Sequence, residues 1–409
     1  MTSLLGILIL PLVAWALSAD RRAINWRTVG FAFALQAGIG GMALFTTWGQ
    51  AALNTTSEYV AVLLGYSRAG IDFMFGSLAN SSGSLGFVFA FNVLPVVIFF
   101  SSLIAVLYHI GVMQWVIRVL GGGLRKLLLT SHTESLSAAA NVFVGQAEAP
   151  LVARPYIAGM TVSELFAVMV GGMASIAGSV MAGYVALGIP LEYLLAASFM
   201  AAPGGLMMAK MMEPETHIPV EPSGDDDETM ESYVNLVDAA ASGAMNGLRM
   251  AGAIAAMLMA FIALIALING ILGWLGLHLG ITDLTLEGVL GDVLRPLAWA
   301  LGVPWDEAEL AGSLIGQKLV LNEFVAYVAF TDVAAQFSSV SKAIVIFALC
   351  GFANLSSIAI LLGGLGQIAP MRRDEISRYG FRALIAASLS NLMSAALAGF
   401  FLSLGAMLS

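Results

Sequence analysis

Eight apolar segments, each all or most of the length needed to cross a lipid bilayer, constrain this chain more than any other feature. A transmembrane helix needs about 20 predominantly apolar residues. The segments are 4–18, 29–47, 87–108, 165–187, 191–208, 250–275, 343–368 and 383–408. Charged residues make up only 11% of the 409, against about 25% in soluble domains. The sequence therefore predicts an all-α polytopic membrane protein with eight transmembrane helices.

The other bulk properties exclude several functions. The first segment lacks a basic start, so we expect a retained helix rather than a cleaved signal. A single cysteine and four scattered histidines predict neither a disulfide nor a transition-metal site. There is no basic patch with interleaved aromatic residues, so nucleic acid is not an expected partner. Much of the net charge of −9 lies in the acidic stretch 213–231, which is interpreted as a solvated cytoplasmic loop.

Two further stretches, 135–157 and 310–330, are apolar at both ends and carry Gly, Gln and Glu in the middle. This pattern is typical of a re-entrant hairpin, whose tip stops inside the membrane. Three mixed stretches, 59–78, 233–248 and 286–301, suit interfacial helices. The run "GGGLRK" at 121–126 has neither the spacing nor the Ser/Thr of a phosphate loop and is interpreted as a flexible basic turn.

The distribution of the 17 Lys and Arg residues predicts the orientation. With the amino terminus outside, eight spans and two hairpins that return to their side of entry, 13 of them fall inside and 4 outside. This is a strong positive-inside bias. The prediction is a multi-pass protein of the cell (inner) membrane, with both termini outside and hairpins of opposite orientation.

An internal repeat accompanies the hairpins. "GMASIAG" at 172–178 aligns with "GFANLSS" at 351–357, and each copy follows one hairpin. Two hairpin-plus-two-helix units of opposite orientation form an inverted repeat, the plan of many secondary transporters. The predicted domains are 1–130 (scaffold and interfacial helices), 131–212 (first transport unit), 213–309 (acidic loop, interfacial helices and scaffold helix) and 310–409 (second transport unit).

Glu148 and Glu323 lie at matching places in the two hairpins, with no Lys or Arg three or four residues away. A charge at the bilayer centre costs about 2.5–3.5 kcal/mol even on insertion scales, so the pair indicates a shared polar cavity. The alternative for each is a carboxylate that reaches the interface or pairs with a distant base. Amide and hydroxyl groups accompany them: Asn141, Gln146, Asn322, Asn354, Ser175, Ser356 and Ser357.

These groups suit a ligand that has both a planar base and a sugar. Amides present paired donors and acceptors to a heterocycle, and carboxylates accept hydrogen bonds from vicinal hydroxyls. Small residues in the repeated segments favour local unwinding, which frees backbone carbonyls for binding, although close helix packing is the alternative. No enzyme motif (G-x-S-x-G, H-E-x-x-H or a phosphate loop) is present, so we expect no enzyme activity.

Three segments resemble the concentrative nucleoside transporter family, bacterial sodium-coupled type. They are 141–188, "GQKLVLNEFVAY" at 316–327 and "CGFANLSSIAILLGGLGQIAP" at 350–370. The resemblance extends over nearly the whole chain. It implies a homotrimer in the lipid bilayer, in which each protomer has a scaffold and a mobile transport domain. No cofactor is implied other than Na⁺ as the coupling ion.

The resemblance also implies the roles of individual residues. Gln146 and Glu148 would face the nucleobase, with Val180 and Phe352 near the ring, and Glu323, Asn354 and Ser357 would hold the ribose hydroxyls. Na⁺ would bind the Asn141 and Ser175 side chains and the Val144 and Ile176 carbonyls. Ala147 replaces the Thr or Ser usual between the Gln and Glu, which bears on base preference.

The predicted function is import of nucleosides by Na⁺ symport, through alternating access with a moving site. The alternatives are a proton-coupled nucleoside symporter and a secondary transporter of another polar solute, such as a carboxylate. The second would need basic residues at the site, and the hairpins offer only Lys318. A channel or receptor that uses the same cavity is a third class, which two hairpins entering from opposite sides disfavour.

Overall fold

The computed structural model describes residues 2–408 except 81–85, 147, 155, 220–232 and 282. Within these residues the secondary structure is helical and contains no strand, as the prediction of an all-α protein requires. The described part of the acidic stretch ends at residue 219, and most of the predicted loop lies outside the described residues, as does Ala147.

The described part of the amino-terminal third contains seven α-helices. They are α1 (Ser3–Ala16), α2 (Trp26–Phe45), α3 (Thr47–Gly65), α4 (Ser67–Phe75), α5 (Phe89–Asn92), α6 (Leu94–His109) and α7 (Val112–Leu128). The interpretation of 121–126 as a flexible turn was wrong, because these residues lie within α7. Gly121 lets α7 approach the next helix closely, since a Cβ there would lie 3.2 Å from Leu136 Cα. Arg125 and Lys126 lie in the last turn, where they favour the negative end of the helix dipole.

The first repeat unit consists of a helix, an irregular tip and three more helices. The helices are α8 (His132–Ala140), α9 (Val162–Ala174), α10 (Gly178–Ala186) and α11 (Leu191–Met212), with short 3₁₀ turns at Ala149–Ala153 and Ile157–Gly159. Capping boxes start α8 at Ser131 and α9 at Thr161. In each, the Ser or Thr hydroxyl accepts a backbone N–H and a Glu three residues on accepts the N–H of the cap, which fixes where the helix begins.

Two helices connect the units: α12 (Leu236–Leu279) and α13 (Leu286–Ala300). The predicted interfacial helix at 233–248 is not a separate element. From Leu236 it is continuous with the apolar segment that follows, in one helix of 44 residues. Residues such as Arg249 interrupt the hydrophobic run without interrupting helix propensity, so hydropathy alone placed a boundary where the backbone has none.

The second unit comprises α14 (Trp305–Val320), α15 (Glu323–Val333), α16 (Ser339–Leu349), α17 (Leu355–Ile368) and α18 (Arg373–Leu408). α14 and α15 form a helix pair with a sharp turn at Leu321 and Asn322. The Asn322 side chain accepts the Val325 N–H at 2.9 Å, so this residue caps α15 and places Glu323 in its first turn.

All eight apolar segments coincide with helices. In the described part of the chain, six helical stretches are long and apolar enough to cross a membrane, among them the interrupted pair Val162–Ala186. The shorter apolar helices include Ser3–Ala16, Ser339–Leu349 and Leu355–Ile368. The last two follow one another with a break at residues 350–354 and form the second interrupted pair. Each half is too short to cross a membrane alone.

Helix packing defines the surroundings of the site. α12 lies along α6, whereas α1 and α2 pack against α11 and α18. The window that covers α9 and α10 is buried throughout, and α18 packs on α9, α11 and α16. The backbone of the two breaks, at residues 175–177 and 350–354, is therefore surrounded by other helices, where irregular backbone is tolerated at membrane depth.

A buried ion pair anchors the base of the first unit. Lys210 Nζ, near the end of α11, lies 2.6 Å from Glu134 Oε2 on α8 and donates to Ser163 Oγ on α9 at 3.0 Å. Glu215 lies 3.6 Å from the same ammonium and accepts from Thr161 Oγ1. One lysine thus holds three helix ends together.

Candidate substrate and ion site

Both interrupted helices break at the repeated segments, and the two breaks touch. α9 ends at Ala174 and α10 begins at Gly178, while α16 ends at Leu349 and α17 begins at Leu355. The backbone N–H of Phe352 donates to the Ser175 carbonyl at 3.1 Å, across the two breaks. The φ of +149° at Gly351 is one that other residues rarely adopt. The small residues of the repeat therefore do produce unwinding.

Glu323 lies at the centre of the polar cluster and is buried. Its Oε1 accepts from Tyr184 Oη at 3.0 Å, and its Oε2 accepts from Asn354 Nδ2 at 2.9 Å. Both partners are donors, and the group lies in the first turn of α15, where the helix dipole favours negative charge. This arrangement suits an ionised carboxylate, which accepts hydrogen bonds at both oxygens.

Asn354 joins this carboxylate to the first unit. It caps α17 by accepting the Ser357 N–H at 2.9 Å, and it also accepts from Ser356 Oγ at 2.6 Å. Ser357 Oγ in turn accepts from Gln146 Nε2 at 3.1 Å. A continuous chain of hydrogen bonds thus runs from the tip of the first unit to the second.

These residues line a cavity of about 520 Å³, within the range of small-molecule sites. The walls from the repeat units carry all seven predicted substrate residues: Gln146, Glu148, Val180, Glu323, Phe352, Asn354 and Ser357. They also carry Asn322 and Ser356. Helix α12 supplies the opposite wall, which is largely apolar and includes Met250, Met257 and Leu258. Polar groups on one side and an apolar wall on the other suit a ligand with a polar edge and an apolar ring face.

Glu148 also borders a second cavity of about 160 Å³ between the first unit, α6 and α12. Tyr108, Ser179 and Tyr233 line this smaller cavity. Glu148 is half-buried, in contrast to Glu323, and engages other groups of the protein. The two predicted carboxylates therefore face the same large cavity but differ in their access to a neighbouring space.

Asn141 shows the arrangement expected of an ion ligand. Its side chain is buried, and among the described residues neither Oδ1 nor Nδ2 has a hydrogen-bond partner. Buried amides without partners are rare because they lose their hydration, and the Asn141 amide oxygen is therefore available as a ligand for a cation. The Ser175 side chain is equally buried, and its hydroxyl makes one long contact, of 3.5 Å, to the Gly172 carbonyl among the described residues.

The backbone also brings the remaining predicted ion ligands together. Gly178 N donates to the Phe143 carbonyl at 2.8 Å, which ties the residue before Val144 to the start of α10, just after Ile176. All four predicted ligands lie in these two neighbouring segments and are buried. Oxygen atoms at the end of a broken helix are the ligands that bind Na⁺ in other transporters.

Sequence reasoning missed three contributors. Tyr184 lies four residues after Val180, and so on the same face of α10, a spacing that could have identified it. The α12 wall carries Asn246 and Arg249 at the cavity, but no sequence pattern links this helix to the repeats. Lys318 was noted only for its distance from Glu323 in sequence, yet it is buried and hydrogen-bonded.

The fold and the site together define a secondary membrane transporter, with a polar cavity between two broken helices and no motif of an energy-coupling enzyme. Family comparison agrees: residues 193–399 match "Na+ dependent nucleoside transporter C-terminus", residues 5–78 match its N-terminus and residues 90–191 match "Nucleoside recognition". The chain belongs to the Na⁺-dependent, or concentrative, nucleoside transporter family, which confirms the resemblance.

Individual relatives match over almost their full length. The chain is 52% identical to an uncharacterized transporter of Haemophilus influenzae, covering 99% of each chain. It is 47% identical to the nucleoside permease NupC of Helicobacter pylori, covering 99% of this chain and 98% of that one. The solved structure of CNTnw in an inward-facing substrate-bound state is 54% identical, covers 98% of each chain and superposes with a TM-score of 0.93.

Proposed function

We propose that this chain imports nucleosides by Na⁺ symport, with a binding site that faces the two sides of the membrane alternately. The observation that carries the proposal is the chain of hydrogen bonds from Gln146 through Ser357 and Asn354 to Glu323. It joins an amide of the first unit to a carboxylate of the second in one cavity, which supports a role for the amide in binding the base and for the carboxylate in binding the sugar. Membership of the Na⁺-dependent family supports both the ion and the substrate class.

Each residue has a proposed role. Gln146 and Glu148 bind the polar edge of the base, and Val180 and Phe352 contact its ring. Glu323, Asn354 and Ser357 bind the ribose hydroxyls. Asn141, Ser175 and the carbonyls of Val144 and Ile176 bind Na⁺, a role that the unpartnered Asn141 amide supports. When both ligands are bound, the polar groups of the site are satisfied, which lowers the cost of moving it across the membrane.

The proposed transmembrane arrangement has eight spans and two re-entrant hairpins of opposite orientation within an inverted repeat. One hairpin is α8 with the 3₁₀ turns that follow it, and the other is α14 with α15. Both termini lie outside a cell (inner) membrane. The division into domains at 130, 212 and 309 stays a prediction. Because α1 and α2 pack against α11 and α18, we modify it: these two helices move with the transport units, and α6 with α12 forms the scaffold.

We further propose that the protein is a homotrimer embedded in lipid and that it has no enzyme activity. The relatives reported above are transporters, which supports the second point. Cross-linking in native membranes tests the first: bands up to a trimer are expected, and a ladder that ends at a dimer would contradict it.

The function is tested in proteoliposomes that contain the purified full-length protein. Labelled uridine and labelled purine nucleosides are offered under an inward Na⁺ gradient, an inward proton gradient, or neither. Accumulation above equilibrium under the Na⁺ gradient alone is expected, and it should vanish when an ionophore collapses that gradient. Accumulation under the proton gradient alone would contradict Na⁺ coupling.

A competition panel tests the substrate class. Unlabelled nucleosides, free bases and dicarboxylates are added in excess to the same liposomes. Nucleosides should compete strongly, free bases weakly and dicarboxylates not at all, because only nucleosides occupy both halves of the cavity. Strong competition by dicarboxylates would replace the proposed substrate with another polar solute.

A further inference from the structure

Lys318 provides a fixed cation at the break in the second unit. Its side chain is 2% exposed and lies in the last turn of α14, five residues before Glu323. The ammonium group donates to the Ala348 carbonyl at 2.9 Å and to Asn391 Oδ1 at 2.8 Å. Ala348 is the penultimate residue of α16, so the charge lies at the carbonyl end of that broken helix, where a cation is favoured.

Asn391, on α18, extends this contact to the other broken helix. Its Nδ2 donates to the Ala174 carbonyl at 2.6 Å, and Ala174 is the last residue of α9, directly before Ser175. The amide is buried; its oxygen contacts the second unit at Lys318, and its nitrogen contacts the first unit at Ala174. Gly351 leaves room for it: a Cβ there would overlap the Asn391 side chain and lie 2.7 Å from the Ala174 oxygen.

The carboxyl ends of the first broken-helix halves, α9 and α16, thus lie beside different cations. In the proposed function, Na⁺ binds beside the carboxyl end of α9, whereas Lys318 permanently occupies the equivalent end of α16. Asn391 is hydrogen-bonded to both helix ends, so a shift of the Ala174 carbonyl alters the position available to Lys318. Lys318 is in turn connected to two of the three proposed ribose-binding residues, to Glu323 through the α14–α15 turn and to Asn354 through the α16 break.

We propose that Lys318 and Asn391 form a positioning bridge that couples Na⁺ binding in the first unit to nucleoside binding in the second. The inference rests on the proposed function. Neither residue lines the large cavity or belongs to the proposed ion ligands; each acts by fixing the broken helices that carry the binding residues. Na⁺ that orders the α9 break also orders the ribose-binding groups, so the nucleoside binds to a site that has already been arranged.

Thermodynamic coupling is the readout that distinguishes this role from a merely structural one. Nucleoside affinity is measured on the purified full-length protein over a range of Na⁺ concentrations, and Na⁺ affinity with and without nucleoside. The factor by which each ligand raises the affinity of the other must be the same in both experiments. We expect this factor to fall at least fivefold in Lys318→Met and in Asn391→Leu. Lys342→Met, which removes a lysine from α16 outside the bridge, should leave it unchanged.

A gentler variant keeps the test decisive if a substitution prevents folding. Asn391→Asp still accepts from Lys318 but cannot donate to the Ala174 carbonyl, so one arm of the bridge is lost. It should retain a cooperative melting transition and lose coupling. A folded Asn391→Asp protein with the wild-type coupling factor would overturn the proposal. If the nucleoside affinity of the wild-type protein did not depend on Na⁺ concentration, the proposed symport would itself be wrong. The proposed bridge would then fail with it.

Discussion

Glu323 is the residue whose charge the site uses most directly. Tyr184 and Asn354 both donate to its carboxylate, so Glu323→Gln keeps the shape but removes the charge that strengthens these bonds and those to a ribose. Hydrogen bonds to charged groups contribute about 1.5–3 kcal/mol, which corresponds to a loss of about 10- to 150-fold in affinity. We expect nucleoside uptake in proteoliposomes to fall by at least tenfold.

The matched control for this substitution is Glu309→Gln, in the same unit. Glu309 forms an exposed ion pair with Arg295 and lies away from the cavity. Its removal should leave uptake within twofold of the wild type. Near-normal transport by Glu323→Gln would remove that residue from the binding site.

Asn141 allows a test that separates ion binding from the stability of the ion-free protein. Its buried amide has no partner among the described residues, so Asn141→Leu removes an unsatisfied group and should not lower the melting temperature measured without Na⁺. The rise in stability on adding Na⁺, about 2.7 kcal/mol at 100 times the dissociation constant, should disappear. Thermal melting with and without Na⁺ measures both effects.

Asn269→Leu is the corresponding control, because Asn269 is a fully partnered amide. It donates to Glu287 at 2.8 Å and accepts from the Leu286 N–H at 2.7 Å. This variant should melt at a lower temperature and keep its response to Na⁺. If Asn141→Leu kept that response as well, Asn141 would not be an ion ligand.

At the scale of elements, the sequence predicted what depends on local chemistry. Small and hydroxyl residues in apolar helices indicated breaks, and both breaks lie at the repeated segments. The lengths of the helices were harder to predict. Helix α7 continues through the basic run, with Gly121 packed closely against Leu136, and α12 extends past Arg249, features that depend on tertiary contacts. Tyr184 and Asn391 were missed for the same reason, since Tyr184 donates to Glu323, 139 residues away, and Asn391 donates to Ala174, 217 residues away.

The ion pair at the base of the first unit predicts a large stability effect. Lys210→Met leaves Glu134 buried without the one close cation that pairs with it among the described residues, which costs about 3–5 kcal/mol in comparable buried pairs. The melting temperature should therefore fall markedly. The double variant Lys210→Met with Glu134→Gln removes the stranded charge, keeps an acceptor for the Ser131 N–H, and should recover most of the loss.

An exposed pair provides the comparison for that measurement. Glu309→Gln breaks the contact with Arg295 but leaves the bonds from Arg295 to the Trp305 carbonyl, and surface pairs of this kind contribute at most about 1 kcal/mol. Its melting temperature should stay close to that of the wild type. A Lys210→Met protein as stable as Glu309→Gln would show that Lys210 does not neutralise Glu134.

At the scale of the whole molecule, the proposed mechanism depends on which parts move together. α9, α16 and α17 pack against α11 or α18 and carry part of the hydrogen-bonded cluster, whereas the α12 wall contributes mainly apolar side chains to the cavity. Polar contacts to the substrate can therefore stay intact while the wall changes. This arrangement suits a site that carries its polar groups with it when it crosses.

The predicted orientation can be tested with single cysteines, because the one native cysteine, Cys350, is buried. His217 and Met407 are both exposed, and the positive-inside bias places the first inside and the second outside. In intact cells, a membrane-impermeant maleimide should label Met407→Cys but not His217→Cys, and permeabilised cells should show labelling of both. The wild-type protein, as the control, should stay unlabelled in either case. Labelling of His217→Cys in intact cells would reverse the orientation, and with it the side from which each hairpin enters.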